Sequence, residues 1–296
     1  MRSVRLLAAA AAAATTGALR AGGGVGVTFS PAGLLTPYHL GVAARLRERG
    51  FITAETALAG SSGGALAAAI TALEIPSADS LEACSRIARR CRDEGTYRTL
   101  ALALNDELES LIPLSAADTL NSRPAPTRIA YTEVWPSIGT ARFASEFASR
   151  QDVLSVLTAS CTIPFYFSGS LSSAVRGASG CDGFFAMPRE RFGCPETFAT
   201  DLEIIVSPFD PRIVGLQPRP VLALTKALTI ISPALLPRSQ WPFTSAQLVR
   251  LALAPPPLLA ENDDQPDAAT SQDIAAVYAE LFAAGRASVD AWERMQ

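Results

Sequence analysis

A serine flanked by glycines is the feature of this sequence that points most directly to chemistry. The stretch Gly-Ser-Ser-Gly-Gly fits the pattern G-x-S-x-G, with Ser62 at its centre and Gly60 and Gly64 at its ends. In this pattern a nucleophilic serine lies on a sharp strand-to-helix turn, where only glycine fits beside the tight backbone. Ser61 fits less well, because the pattern would then need glycine where Ala59 stands. Ser62 is therefore the candidate nucleophile.

A nucleophilic serine needs a base, and the sequence offers two candidates. The chain has a single histidine, His39, so a Ser-His-Asp triad would have to use it. The alternative is a carboxylate that accepts the proton directly. Asp182 is the candidate for this role, in the stretch Gly-Cys-Asp-Gly-Phe that follows an apolar segment. Taken alone, an Asp-Gly pair also fits an ordinary turn.

The histidine and cysteine counts exclude several other chemistries. One histidine excludes a two-histidine zinc site, a bis-histidine haem site and an H-E-x-x-H protease within one chain. Five cysteines without a C-x-x-C pair do not indicate a disulfide framework. Cys84 and Cys91 fall on an apolar helical stripe, which favours a place in the core. The sequence implies no metal and no organic cofactor.

Composition and charge narrow the class of protein. The 296 residues suit one large domain, or one domain with appendages, and a hydrophobic content of 49% predicts a sizeable core. The net charge of −3 disfavours a nucleic-acid partner. The acidic residues Asp106, Glu107 and Glu109 could be interpreted as a glycosidase pair, but a solvated helix face is favoured.

The elements that must position Ser62 alternate between strand and helix. Thr36 is expected to cap the first helix, Pro37 suits its first turn, and Gly50 can end it. Strand, loop, helix, strand, turn and helix are predicted over residues 25–29, 30–35, 36–50, 56–59, 60–64 and 65–73. This order predicts an α/β layered fold.

Beyond the serine motif the pattern continues and then changes. Further helices are predicted over residues 80–93, 99–112 and 149–159, and further strands over 128–134, 141–143 and 202–206. We expect residues 25–210 to form the catalytic domain. After it come a Pro-rich apolar extension at 211–260, an acidic linker at 261–270 and a C-terminal helix within 271–296.

Residues 1–24 differ from the rest of the chain. Arg2 and Arg5 precede an Ala-rich apolar stretch, and the segment contains no acidic residue. Such a leader is typical of a transit peptide for a plastid or a mitochondrion. A secretory signal peptide is the alternative, and a disordered Ala-rich tail is a third interpretation.

Taken together, the motifs resemble those of the patatin-like acyl hydrolases, most closely the adipose triglyceride lipase and adiponutrin branch. The resemblance covers about residues 25–210 and keeps the family's order of motifs. The matching blocks are residues 28–42, 60–66, 159–167, 182–183 and 205–209. This resemblance implies a three-layer patatin-like fold, with a mostly parallel central sheet and helices on both faces. It implies a Ser-Asp dyad, with Ser62 as nucleophile and Asp182 as base, and gives His39 a structural role behind the oxyanion loop.

The resemblance also implies an oxyanion hole of backbone N–H groups. We expect these groups from Ala32, Gly33 and Leu34, and from Gly63 after the nucleophile. The family's loop is usually glycine-rich and carries a basic residue. Here glycines of that loop are replaced at Pro31 and Ala32, and proline has no N–H to donate.

The loop departs from the family pattern at Leu35 and Thr36 as well, and the aspartate motif continues with Phe184. Leu35 takes the place of the basic residue, and Thr36 that of the last glycine. A weakly active or inactive relative is therefore one alternative.

The substrate is expected to be a lipid ester. Residues 163–167 would line an acyl channel if they adjoin the site, and residues 221–236, 241–243 and 248–260 could lie on a lipid surface. Packing in the core is the alternative for each segment. We expect peripheral contact with a membrane or lipid droplet, and a protein co-activator is left open.

The function expected from these motifs is hydrolysis of long-chain acyl esters. Neutral acylglycerols are the first expectation, because of the branch that the motifs resemble, and phospholipids or lysophospholipids follow closely. A lipid transacylase using the same dyad and a non-catalytic lipid-surface protein are the alternatives.

Overall fold

The computed structural model describes residues 24–197, 200–216, 227–241, 243–255 and 273–296. The predicted leader, apart from Gly24, and the predicted acidic linker lie outside this range. The strands are β1 (Val25–Phe29), β2 (Ala57–Ser61), β3 (Thr127–Trp135), β4 (Thr140–Ala144), β5 (Ser173–Val175), β6 (Ala178–Asp182), β7 (Leu202–Val206) and β8 (Ala227–Ile231). The helices are α1 (Thr36–Glu48), α2 (Gly63–Ala72), α3 (Ser77–Glu94), α4 (Leu100–Leu111), α5 (Ala116–Asn121), α6 (Arg150–Cys161), α7 (Pro211–Val214), α8 (Ser245–Leu253) and α9 (Ile274–Glu293).

The strands form one central sheet in the order β5-β6-β3-β2-β1-β7-β8, with β4 also paired to β3. The pairs from β3 through β2, β1 and β7 to β8 are parallel, whereas β4, β5 and β6 pair antiparallel. Every residue of β1, β2 and β7 is buried, as expected for parallel strands covered on both faces. The expected α/β fold with a mostly parallel sheet flanked by helices is confirmed.

The end of the chain completes this fold. β8 extends the sheet by pairing with β7 along its whole length. α9 packs along α1, and the Trp292 ring lies edge-on to Phe51 with ring centroids 5.1 Å apart. The described residues beyond 210 therefore contribute both a strand and a covering helix to the unit that begins at β1.

Most predicted elements are confirmed to within a few residues, and β1 and β7 have the predicted bounds. Two expectations need correction. Thr36 is the first residue of α1 and does not cap it; its hydroxyl donates to the carbonyl of Gly33, because a short 3₁₀ turn (Gly33–Leu35) precedes the helix. Asp182 ends a strand, β6, that the glycine-rich sequence did not reveal.

Across the described residues, no helix combines the length and the apolar character that crossing a bilayer requires.

Candidate active site

Ser62 lies on the sharp turn between β2 and α2. Its φ of 54° and ψ of −131° are values that residues other than glycine rarely adopt. A Cβ atom on Gly60 would lie 2.1 Å from the carbonyl oxygen of Gly64, and one on Gly64 would lie 2.3 Å from that of Phe29. The turn therefore requires glycine at both ends of the motif, and it holds Ser62 in a strained conformation.

β2 and β6 end against each other on one edge of β3. β2 pairs with β3 as far as Ser61, which lies opposite Ala130, and β6 ends at Asp182, which lies opposite Tyr131. β4 pairs with a stretch of β3 that overlaps both partners. Because a strand has only two edges, β4 occupies one of them, and β2 and β6 share the other. The carboxyl ends of β2 and β6 therefore meet, which brings Ser62 to Asp182.

The Ser62 side chain faces the Asp182 carboxylate, within hydrogen-bonding reach of it. Both residues are buried, and Oδ1 of Asp182 also accepts from the backbone N–H of Phe184 at 2.9 Å. Burial raises the pKa of Asp182 from 3.8 to about 6, although both hydrogen bonds act in the opposite direction. Asp182 is thus more basic than an exposed aspartate and is still ionised at neutral pH.

The backbone of Asp182 is fixed from two sides. Its N–H donates to the carbonyl of Thr162 at 2.8 Å, and its carbonyl accepts from the Thr132 hydroxyl at 2.8 Å. Both threonines are buried. Neither was singled out from the sequence, because a threonine on a strand or after a helix carries no motif of its own.

Ser160 holds the backbone of the candidate nucleophile. The N–H of Ser62 donates to Oγ of Ser160 at 2.9 Å, and the Ser160 hydroxyl donates to the carbonyl of Ala130 at 2.7 Å. Ser160 is fully buried near the end of α6. It lies within a motif that resembles the family, but nothing in the sequence indicated its contact with the turn.

The 3₁₀ turn before α1 lies directly beside the first residue of α2. Gly33 has a φ of 52°, and a Cβ atom on Gly63 would lie 3.0 Å from the Gly33 nitrogen and 2.7 Å from Oγ1 of Thr36. N–H groups in the first turn of a helix have no acceptor within that helix. The backbones of Gly33 and Gly63 are therefore adjacent, next to Ser62.

The other two candidate oxyanion residues also adjoin Ser62. Leu34 lines one cavity together with Ser62, and Ala32 lines a second one with it. Pro31 borders the second cavity as well but has no N–H. All four predicted oxyanion residues therefore line cavities that also contain Ser62, and the backbones of Gly33 and Gly63 are adjacent.

His39 lies behind the loop and not at the serine. Its Nε2–H donates to the carbonyl of Ser30 at 2.8 Å, and its Nδ1 has no hydrogen-bond partner among the described residues. Complete burial lowers the pKa of His39 to about 4, so the ring is neutral at physiological pH. The side chain of His39 thus fixes the start of the oxyanion loop, and the carboxylate of Asp182 is the basic group that faces Ser62.

Two apolar cavities meet at Ser62. The first is narrow, with a volume of about 60 Å³. It runs between helices, with a lining that includes Leu66, Ile87, Leu104, Ile163, Phe167 and Tyr278. Ile163, Tyr166 and Phe167 belong to the segment predicted to line an acyl channel and do line this cavity, whereas Phe165 of the same segment lines neither cavity.

The second cavity is an open groove of about 220 Å³, wide enough for a bulkier group. It contains both Ser62 and Asp182, and its walls include Phe184, Phe185, Phe192 and Phe209. Asp182 is the one charged side chain among the described residues that line the two cavities. The aromatic wall was missed in the sequence because its members are separated along the chain and show no periodicity.

The remaining candidates have ordinary structural roles. Glu107 and Asp106 form ion pairs with Arg86 and Arg90, as expected for a solvated helix face. All five cysteines are free thiols. Within the described ranges no three His, Cys, Asp or Glu side chains are grouped so that they could hold a metal ion.

Comparisons with known proteins find similarity over the part of the chain that contains Ser62 and Asp182. The family model described as patatin-like phospholipase matches residues 21–190. Human patatin-like phospholipase domain-containing protein 4 is 26% identical over 153 residues, which are 48% of this chain and 57% of that protein. The crystal structure of VipD from Legionella pneumophila aligns over 64% of this chain and 51% of its own, with 14% identity and a TM-score of 0.35. The match thus spans just over half the length of the human protein.

Proposed function

Because this chain belongs to the patatin-like phospholipase family, we propose that it is a serine hydrolase that cleaves long-chain acyl esters of lipids through Ser62 and Asp182. The observation that carries this proposal is that a serine on a strained turn faces a buried carboxylate within hydrogen-bonding reach. A nucleophile within hydrogen-bonding reach of its base is the arrangement that acyl transfer needs.

The reaction proceeds through an acyl-enzyme. Asp182 accepts the hydroxyl proton of Ser62 as Oγ attacks the ester carbonyl, and the leaving alcohol departs with that proton. Water then gives its proton to Asp182 and attacks the acyl-enzyme, which releases the fatty acid and restores the Ser62 hydroxyl.

The oxyanion of each tetrahedral intermediate is stabilised by backbone N–H groups of Gly33 and Gly63. In other enzymes, loss of one such donor costs about 2.7–4 kcal/mol of transition-state stabilisation. Since aspartate is a weak base towards a hydroxyl, the pre-arranged backbone must supply much of the acceleration. The adjacent nitrogens at Gly33 and Gly63 support activity despite the proline at position 31.

The two cavities favour an uncharged ester. The carboxyl end of the acyl chain enters the narrow cavity, and the alcohol portion lies in the aromatic groove. A phosphate headgroup would lie against the Asp182 carboxylate, because the described lining offers no cationic side chain in compensation. We therefore propose neutral acylglycerols as the preferred substrates, ahead of phospholipids and lysophospholipids.

The test is fatty-acid release by the purified full-length protein from triolein, phosphatidylcholine and lysophosphatidylcholine. We expect the fastest release from triolein, and none above background from Ser62→Ala. Turnover by Ser62→Ala at the wild-type rate would overturn the mechanism, and preference for lysophosphatidylcholine would overturn the substrate assignment.

Two alternative functions are each supported by one feature of the site. A transacylase would use the same dyad and place a second alcohol in the open groove, so added glycerol esters would then accept the acyl group in preference to water. A non-catalytic lipid-surface protein is favoured by Pro31, which removes one backbone donor from the loop. Absence of both turnover and fluorophosphonate labelling would support that second function.

We further propose that the protein acts in an organelle or the secretory pathway, peripheral to a membrane or lipid droplet. The proposal rests on the arginine-bearing, acid-free leader. A fluorescent protein fused to residues 1–24 should be imported, and a diffuse cytosolic signal would refute a targeting role.

A further inference from the structure

The outer side of α8 carries apolar side chains. Val249 is 54% exposed and Leu253 is also exposed one turn further on, while Leu248 and Leu251 on the inner side are buried. A surface helix of a globular protein normally presents polar residues to water. α8 is therefore apolar towards the core and also carries two apolar side chains, Val249 and Leu253, on its exposed side.

Exposed aromatic side chains face α8 across the open groove. Phe184 and Phe185 lie with ring centroids 5.7 Å apart, and Phe185 is 55% exposed. Both line the groove together with Leu253. The apolar surface of α8 thus continues across the opening that leads to Ser62.

A third exposed ring lies between two residues of the cavity walls. Phe165 is 56% exposed, while its neighbours Ile163 and Tyr166 line the narrow cavity. The hydroxyl of Tyr166 donates to the carbonyl of Leu253, which joins this segment to the end of α8. Phe184, Phe185 and Leu253 line the groove, and Phe165 and Val249 are exposed on the two segments that the Tyr166 bond joins. We call these five residues the mouth face.

Two arginines accompany the mouth face. The guanidinium of Arg98 lies 4.9 Å from the centre of the Tyr97 ring, and that ring lies edge-on to Tyr166 at 5.9 Å. Arg250 is exposed on α8 beside Val249. Neither arginine forms an ion pair within the described part of the chain. Within the described residues, neither charge has an acidic partner, and both can meet anionic groups.

We propose that the mouth face docks on a phospholipid membrane and that the ester enters the groove directly from the lipid. The exposed phenyl rings and the outer side chains of α8 lie in the boundary between headgroups and acyl chains, and Arg98 and Arg250 contact anionic headgroups. A large exposed apolar patch marks an interaction site. This patch surrounds an apolar path to Ser62, which identifies lipid as the occupant. The inference rests on the proposed lipid substrate.

The test is flotation of the full-length protein with vesicles of phosphatidylcholine, with and without phosphatidylserine. The double variant Phe165→Ser with Val249→Ser removes two exposed apolar groups that line neither cavity. We expect it to bind at least about tenfold more weakly, while it hydrolyses soluble p-nitrophenyl butyrate at the wild-type rate. The double variant Arg98→Gln with Arg250→Gln should lose only the added binding to phosphatidylserine.

A matched control removes apolar groups away from the mouth face. Leu114 is 88% exposed and follows the end of α4 that lies away from the narrow cavity. Met295 is 66% exposed and follows α9. The variant Leu114→Ser with Met295→Ser should bind vesicles like the wild type. Equal loss of binding in this control would show a general effect of surface hydrophobicity and overturn the assignment.

Other outcomes separate this inference from the proposed chemistry. Unchanged vesicle binding by Phe165→Ser with Val249→Ser would overturn the docking face. It would also be overturned if the wild-type protein bound a triolein emulsion but did not bind vesicles. Ser62→Ala should bind vesicles normally without hydrolysing esters. If Ser62→Ala retains turnover while the mouth-face variant loses binding, the dyad fails and the docking face stands.

Discussion

Ser61 and Asp182 end their strands opposite consecutive residues on one edge of β3, Ala130 and Tyr131. β2 runs parallel to β3 and β6 runs antiparallel, so their carboxyl ends approach each other from opposite directions. The nucleophile follows one strand end directly, and the candidate base is the other strand end. Backbone pairing within the sheet therefore sets the spacing of the dyad before any side chain is considered.

The contact between Ser160 and the Ser62 backbone predicts a second residue on which activity depends. Ser160→Ala leaves the Ser62 N–H buried without an acceptor, which costs about 1–3 kcal/mol and loosens the strained turn. We expect the rate of fluorophosphonate labelling to fall about tenfold at temperatures where the variant is still folded. Ser155→Ala is the matched control, since Ser155 makes a similar bond to the backbone of Asp152 in the same helix. Equal effects of the two variants would contradict a positioning role.

The hydroxyl of Thr36 supports the turn that carries Gly33. Thr36→Val keeps the shape of the side chain but removes its bond to the Gly33 carbonyl, so the oxyanion donors lose their fixed geometry. We expect kcat on a soluble ester to fall several-fold with little change in KM. Thr36→Ser retains the hydroxyl and should restore kcat; failure of this rescue would speak against the bond.

Substitutions of His39 test whether Asp182 or His39 is the base. Gln at position 39 can still donate to the Ser30 carbonyl, so His39→Gln should retain activity to within a few-fold of the wild type. His39→Leu, which cannot donate, should be weaker because the start of the loop loses its anchor. A fall of about 10⁴-fold in kcat for His39→Gln would instead be the behaviour of a disrupted triad.

The pKa of Asp182 links activity to a cost in stability. The carboxylate is the active form, so kcat/KM should rise with pH through an apparent pKa near 6. A folded pKa above the ordinary 3.8 means that folding favours the protonated form of this carboxyl. The contribution of Asp182 to the stability of the protein is therefore largest below about pH 3.8, and it falls as the pH rises through 6.

Asp182→Asn should therefore stabilise the protein at pH 8 by up to about 3 kcal/mol, since each pKa unit corresponds to about 1.4 kcal/mol. The gain should disappear in acid, where the wild-type carboxyl is neutral as well. Thermal unfolding of both proteins at several pH values measures this difference. A variant less stable than the wild type at pH 8 would contradict a costly buried carboxylate.

Sequence patterns predicted most of the elements because these carry strong hydrophobic runs or caps. β1 and β7 are buried apolar strands with clear ends. α6 begins directly after Ser149, whose side chain caps the helix by accepting from the Asp152 N–H. β6 was missed because Ala178–Asp182 contains small and polar residues without alternation, and its pairing to β3 and β5 makes it a strand.

The site was predictable only in part for a related reason. Ser62 and Asp182 belong to motifs of short range, which a sequence displays. Ser160, Thr132 and the aromatic wall act through contacts between distant segments, and these depend on the register of the sheet. The shared edge of β3 cannot be read from any one segment.

The rate of fluorophosphonate labelling, with the labelled residue located by mass spectrometry, tests the dyad most directly. We expect wild type to be labelled at Ser62, Ser61→Ala to be labelled there as well, and Ser62→Ala not to be labelled. Asp182→Asn should react about 10²–10⁴-fold more slowly than wild type, the usual contribution of a general base. Labelling of folded Asp182→Asn at the wild-type rate, or labelling of wild type at a different serine, would contradict the proposed Ser62–Asp182 dyad.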